Sequence, residues 1–246
     1  MTFEPQNDLE RSLVRATGDA SWIPQFYRDL ANGELFLILN DAPPTRSEVV
    51  LQPGQTLSVM AGRSDGREFI PAFSSLPRLE AAAPEGAGYV AMEAIEALRM
   101  IGSAEVILNP GSEYGKAISP SEIAMLVDGS MWMLTRQMEV TGPTHVEIGP
   151  PARYPTELAE ILKRLFARYE EVQRGWIATV GSMMRNVRPH IVLFLEMSEQ
   201  SFDVIADIGI VAELNPVQDP PFEVMPFTRT RSLAGLFQNI PPFYRR

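Results

Sequence analysis

The chain has 246 residues, 45% of them hydrophobic and 21% charged, with a formal net charge of −10 and no cysteine. Disulfides, thiolate zinc sites and cysteine nucleophiles are therefore excluded, and so acidic a surface argues against general nucleic-acid binding, because phosphates are repelled. The acidity is uneven: residues 1–140 carry 10 Lys/Arg against 19 Asp/Glu, while 141–246 carry 11 against 12, which points to two units with different surfaces. MTFEPQNDLERSL is acidic and polar and does not read as a secretory signal, and no apolar run approaches the ~20 residues that span a bilayer. A soluble, cytoplasmic protein is expected, with no membrane and no nucleic-acid partner.

Asp8 is placed to cap a first helix carrying Leu9, Leu13 and Ala16 on one face. Ser21 caps a second, with Phe26 and Leu30 inward and a close at Gly33. ELFLIL (34–39) reads as a strand and 41–55 as a loop. TLSVMAG (56–62) and REFIPAFSS (67–75) flank RSDG as a hairpin, with Gly66 supplying positive φ. Pro71 marks the second of these strands as an edge or a bulged strand. A short helix and a turn follow over 75–86. GYVAME (88–93) leads into a helix with Ala91, Ile95, Leu98 and Ile101 in register, ended by Gly102. EVILN (105–109) is a strand, and Ser119-Pro120-Ser121-Glu122 opens a helix near 120–128 as a capping box. Residues 129–143 read as a strand or an extended connector, with TGPTH (141–145) as the boundary.

The second unit begins with a strand, THVEIG (144–149). A helix over 156–168 places Leu158, Ile161, Leu162 and Leu165 on one face. Strands follow at 175–180 and 190–197, joined by the loop 181–189. The second of these strands is apolar on both faces. A helix over 201–214 turns Phe202, Ile205, Ile208 and Ala212 inward, although Val204, Ile205, Ile208 and Ile210 also favour a strand, and a strand over 222–228 contains Pro226. The order β-α-β-β-α-β is the ferredoxin-like one, with the third strand internal and the Pro226 strand at an edge. The fold class is α+β in two domains: a mixed α/β domain over 1–140 and a ferredoxin-like βαββαβ domain over 144–246.

LNPGSEYGKAISPSE (108–122) has glycines and a lysine where a phosphate loop has them. Such a loop needs four residues between its first glycine and Gly-Lys-Ser/Thr. Here Gly111 and Gly115-Lys116 are separated by three, and Ala117 replaces the hydroxyl that holds magnesium. The stretch therefore reads as a strand-to-helix connection in which Asn109-Pro110-Gly111-Ser112 forms a turn. Tyr114 and Lys116 are explained less directly by that reading, as side chains simply solvated or packed.

The pattern NPGS-x-YGK followed by a short capped helix resembles the N-terminal domain of the SseB family, the enhanced serine sensitivity proteins. ELFLIL and IPAFSSLPRL fit the same pattern. IGPPARYPTELAEILKRLFARYEEVQRGWIA (148–178) and the final PPFYRR (241–246) are similar to the family's C-terminal domain. The resemblance implies a soluble bacterial two-domain protein. It transfers no catalytic residue set, since the family name describes a growth phenotype.

Chemistry elsewhere is sparse. The two histidines, His145 and His190, are far apart in sequence and form no metal cluster. No G-x-S-x-G elbow is present. Recognition is better represented. Met183, Met184, Arg185 and Arg188 sit in the loop between the second unit's middle strands, where methionines give adaptable apolar contact and arginines bind carboxylates. Tyr244 and Arg245 lie in a basic aromatic tail downstream of Arg229 and Arg231. The binding candidates are thus Asn109, Ser112, Tyr114, Lys116, Met183, Met184, Arg185, Arg188, Tyr244 and Arg245. No catalytic residue, metal or cofactor is assigned. The leading expectation is a non-enzymatic binding protein that affects serine sensitivity or amino-acid metabolism through a protein partner or a small metabolite. The alternatives are a small-molecule enzyme with its site in the 109–116 loop and a secretion-associated adaptor.

Overall fold

The structure, a computed structural model, describes residues 3–41, 56–64, 66–83, 87–133, 147–182, 187–215, 222–228, 237 and 239–246. The chain divides into two compact units, Met1–Gly18 with Gln25–Ser130 and Asp19–Pro24 with Met131–Arg246. Among the described residues no helix is long and apolar enough to cross a membrane.

The first unit contains, in chain order, α1 (Asp8–Gly18), α2 (Ile23–Ala31) from Gln25 onward, β1 (Glu34–Ile38), β2 (Gly62–Ser64), β3 (Arg67–Phe73), α3 (Leu76–Ala82), β4 (Tyr89–Glu93), α4 (Ala94–Ile101), β5 (Glu105–Leu108), β6 (Lys116–Ile118) and α5 (Pro120–Asp128). The strands pair in the order β4-β1-β3-β5-β6, with β2 also on β3. The β3–β5 pair is parallel and the others are antiparallel. Leu79 of α3 packs on Ile38 and Phe73, and Leu9, Leu13, Phe26 and Leu30 are buried as their helical spacing requires.

Local chemistry moves several boundaries. Asn7, not Asp8, caps α1, its Oδ1 accepting from the Glu10 amide at 2.9 Å. Ser21 lies inside a 3-10 turn, Ala20–Trp22, capped by Asp19. The strand expected at 56–62 reduces to a Leu39–Val59 bridge, and pairing proper begins with β2 at Gly62. Gly66 has the positive φ expected, 77°. GYVAME, read as an approach to a helix, is strand β4 along β1. The capping box at Ser119 and Glu122 is present as expected.

Pro71 sits in an internal strand, contrary to its edge reading. Its placement explains how. The Ala72 carbonyl accepts from the Asn109 amide, so Ala72 directs its polar groups toward β5. Alternation then turns Pro71 to the opposite edge. There β2 pairs only as far as Phe69 and β1 begins at Ala72, so the missing N–H falls where one partner strand hands over to the next.

In the second unit β7 (Glu147–Gly149), α6 (Thr156–Phe166), β8 (Val172–Ser182), β9 (Val187–Met197), α7 (Phe202–Leu214), β10 (Phe222–Thr228) and β11 (Tyr244–Arg245) follow a 3-10 turn at Ser130–Met133. The sheet order is β10-β9-β8-β11, with β7 also on β8. Leu158, Leu162, Leu165 and Phe166 of α6 and Val204, Ile208 and Val211 of α7 pack on one face, against Ile177, Leu193, Leu195 and Met197. Trp176, Ala178, Val192 and Phe194 line the other face, under Phe227, Phe237 and Ile240. β9 is thus apolar on both faces and internal, and Pro226 is on the edge strand β10, both as expected.

The element order β-α-β-β-α-β is found, but the ferredoxin-like pairing is not. That layout sets the first strand between the third and fourth. Here β7 pairs antiparallel with β8, and β9 pairs directly and in parallel with β10. β7 has three residues and runs into Gly149-Pro150-Pro151, which cannot extend a central strand because proline donates no ladder hydrogen bond. α7 also departs from its expected face. Ile208 is buried and Ile205 packs partly buried against the core as expected, but Phe202 is 83% exposed, and Val204 and Val211 take the remaining inward positions. The helix is apolar nearly all round, so its periodicity does not single out a face. The loop expected over 181–189 is shorter, because β8 runs to Ser182 and β9 starts at Val187.

Candidate functional site

The glycine-bearing stretch is the connection of a β-hairpin. β6 returns antiparallel along β5, with Leu108 opposite Lys116 and Val106 opposite Ile118. The strand-to-helix reading missed this three-residue strand. Asn109 turns the chain at φ 52°, a conformation asparagine adopts more readily than most residues. The Ser112 amide donates to the Asn109 carbonyl at 3.1 Å. Gly115 passes so close that a Cβ there would meet the Leu108 and Asn109 carbonyl oxygens at 2.9 Å. The glycine is required by the backbone itself. No helix follows the loop directly, and the amino terminus of α5 is filled by its own Glu122, which accepts from the Ser119 amide at 2.7 Å.

Lys116 and Asn109 are both engaged inside the fold. Lys116 Nζ lies 3.2 Å from Glu122 Oε1 and 5.6 Å from the centre of the Tyr27 ring. The buried Tyr27 hydroxyl donates to the same carboxylate. Burial pushes Glu122 up, but the Ser119 hydroxyl and amide, the Tyr27 hydroxyl and Lys116 together hold it below the usual carboxylate range. Burial, and then the neighbouring Glu122, push the Tyr27 phenol far up. The pair is locked as phenol donor and carboxylate acceptor. Asn109 is buried and accepts from the Ser74 amide at 3.0 Å, while its own amide group donates to Ser74 Oγ at 2.8 Å. Tyr114 meets Phe3 edge-on at 5.0 Å.

Asn109, through Ser74, and Tyr114, through Phe3 and Arg78, lead to a second carboxylate that the sequence does not advertise. Glu10, fully buried, accepts from Ser74 Oγ at 2.7 Å, Ser75 Oγ at 2.8 Å, the Gln6 amide at 2.9 Å and Arg78 Nη2 at 3.0 Å. Arg78 also lies over the Phe3 ring at 3.7 Å. Burial pushes the Glu10 carboxyl up, yet Arg78 and the Gln6, Ser74 and Ser75 donors outweigh it and hold the group below its usual range. A cleft of about 410 Å³ opens beside this network, between Asn7, Asp29, Glu34, Phe36 and Ser74, and no residue of 109–116 lines it.

Met183, Met184 and Arg185 lie outside the described residues, and of Arg188 only the backbone, in β9, is described. The tail residues are placed. Tyr244 and Arg245 form β11 and pair with Gly175 and Arg174 of β8. Tyr244 turns toward the core, edge-on to Phe166 at 5.4 Å. Arg245 faces a cleft of about 350 Å³, whose other walls include Arg174, Trp176, Phe237, Asn239 and Pro242. Arg174 was missed because the strand was begun at 175. Beginning it three residues earlier puts Arg174 and Trp176 two apart on one face, which is the signal that finds them. Arg174 donates through Nε to the buried Glu196 carboxylate and lies over the Trp176 ring at 5.4 Å. Among the described residues no group of three or more His, Asp or Glu is placed to hold a metal ion.

The family models for the SseB protein N-terminal domain and the SseB protein C-terminal domain match residues 9–125 and 140–246. The proteins named SseB of Escherichia coli (strain K12) and Shigella flexneri are each 23% identical over 245 residues, covering 99% of this chain and 93% of theirs. No solved structure matches the chain.

Proposed function

The chain belongs to the SseB family, and on that footing we propose that it works by binding a protein partner or a small metabolite, with no covalent chemistry of its own. The observation that carries this reading is a contrast between two places. In the 109–116 loop, Asn109 and Lys116 are each consumed by contacts within the first unit. At the tail, Arg245 borders a cleft with no described carboxylate paired to it. A side chain whose polar end is turned into contacts within the fold has little left to offer a ligand. A guanidinium facing open space can serve a ligand. The proposed setting is the cytoplasm, and the serine sensitivity that names the family then arises indirectly, through the partner or metabolite held.

The test is capture from a bacterial extract with the full chain as bait. The wild type retains a saturable partner or metabolite, Arg245→Glu releases it, and Lys116→Ala retains it. Retention no better than background, or release by Lys116→Ala at unchanged stability, overturns the reading. The second outcome would favour an active site in the glycine loop.

A further inference from the structure

We propose that the cleft beside β8 binds a small oxyanion, a carboxylate or a phosphate, between Arg174 and Arg245. The inference rests on the binding reading above and names its ligand. The first argument is a count of charge along one row of the sheet. The register sets Arg245 of β11 opposite Arg174 of β8, and Arg174 opposite Glu196 of β9. Residues directly opposite share a face, so two guanidinium groups and one carboxylate stand in line. Glu196 is buried and hydrogen-bonded to Arg174. Among the described residues nothing anionic pairs with Arg245. Like charges directly opposite on neighbouring strands repel, and an oxyanion between them turns that repulsion into attraction.

The second argument is preorganisation. Glu196 fixes Arg174 from one side and the Trp176 ring supports it. Trp176 is in turn stacked on Phe237, with ring centres 5.0 Å apart. A guanidinium held in this way loses little freedom on binding, and its planar fork matches the two oxygens of a carboxylate or phosphate. Arg245, exposed on a two-residue strand, supplies the second grip. Asn239 adds an exposed amide, and Ile240, Pro241 and Pro242 give the cleft an apolar wall. A volume of about 350 Å³ suits a metabolite rather than a folded partner. The net charge of −10 repels anions elsewhere on the chain, so a binding anion is drawn to this local excess of positive charge.

Calorimetric titration of the full chain at low ionic strength, with inorganic phosphate in one series and succinate in another, tests the proposal and separates the two oxyanions. At least one series shows saturable one-to-one binding. Arg245→Ala weakens it by about tenfold or more, the loss of a charge-assisted hydrogen bond. Arg245→Lys falls between, keeping the charge without the fork. Arg67→Ala in the first unit, which removes the same net charge, leaves the affinity unchanged. Arg245 is exposed, so an unchanged denaturation midpoint verifies the fold of its variants. Arg174→Ala is unsuitable as the primary variant because it strands the buried Glu196. No saturable heat with either anion, or equal affinity in Arg245→Ala, overturns the proposal. If that happens while Arg245→Glu still releases the captured partner, the binding reading stands and the oxyanion falls alone. If the partner is retained as well, both fall.

Discussion

Glu10 stabilises the first unit only while it is ionised, because every one of its neighbours is a donor. Its folded pKa lies below the ordinary 4.5. The unfolded chain therefore binds the proton more readily, and the stabilisation is complete above about pH 4.5 and lost as pH falls through the folded value. Glu10→Gln is expected to cost about 3 kcal/mol at pH 7, since it leaves Arg78 without its buried partner. It should also flatten part of the acid limb of a stability–pH curve measured by urea denaturation. Glu122, Asp19 and Asp128 are held low as well, so part of that limb remains. Lys116 gives the opposite expectation. Its side chain is 30% exposed, so Lys116→Ala should cost no more than about 1 kcal/mol, whereas Glu122→Ala also removes the carboxylate half of the capping box, leaving the Ser119 amide unpaired, and orphans the Tyr27 hydroxyl, at about 2 kcal/mol or more. Denaturant midpoints of the two variants, compared directly, check the ranking. Of these contacts only the Ser119–Glu122 capping box was legible in the sequence. Glu10 meets Ser74, Ser75 and Arg78 across 64 to 68 residues, and no local pattern carries a pairing of that range.

At the scale of elements, β11 is held by a glycine. A Cβ on Gly175 would meet the Phe243 ring at 2.9 Å and the Phe166 ring at 3.3 Å. Phe243 and Arg246 donate their amides to the Gly175 and Gln173 carbonyls, so the tail continues the sheet through this contact. Gly175→Ala should displace Phe243 and cost about 1–3 kcal/mol of overpacking. Hydrogen exchange should then show protection lost at the Phe243 and Arg246 amides and kept along β9. Protection unchanged at both amides would mean that the ring simply turns aside. Elements with one strong periodicity or a full cap were legible before the structure: α5 from its capping box, α6 from Leu158, Ile161, Leu162 and Leu165, β9 from its unbroken apolar run. Elements whose signal is short or shared were not. β6 is three residues inside a turn-rich stretch, and β4 has Ala91 spaced to suit the helix that follows it. The sheet order of the second unit was out of reach for a related reason. Element sequence is the same for several pairings, and nothing local in it sets β7 beside β8 rather than between β9 and β10.

On the scale of the whole molecule, the sequence points to two units through its uneven charge, and the boundary read at TGPTH lies outside the described residues. What it does not reveal is that Asp19–Pro24 belongs with the second unit. The segment reads as the start of a helix, and nothing local connects it to residues far along the chain. The contacts are specific. Arg164 Nε lies 2.9 Å from Asp19 Oδ1, and Arg168 donates to the Ser21 carbonyl at 2.5 Å while its guanidinium sits 4.4 Å from the Trp22 ring centre. Trp22→Ala removes the ring under Arg168 and should cost about 1–2 kcal/mol, the value of a partly desolvated cation–π contact. The location of that cost is the sharper expectation. In the full chain, amide exchange should quicken in α6, which lies more than a hundred residues downstream, while β5 and β6 keep their protection. A loss centred on α1 and α2 instead would show that the segment is energetically part of the helices it joins. The division of the chain would then follow sequence order.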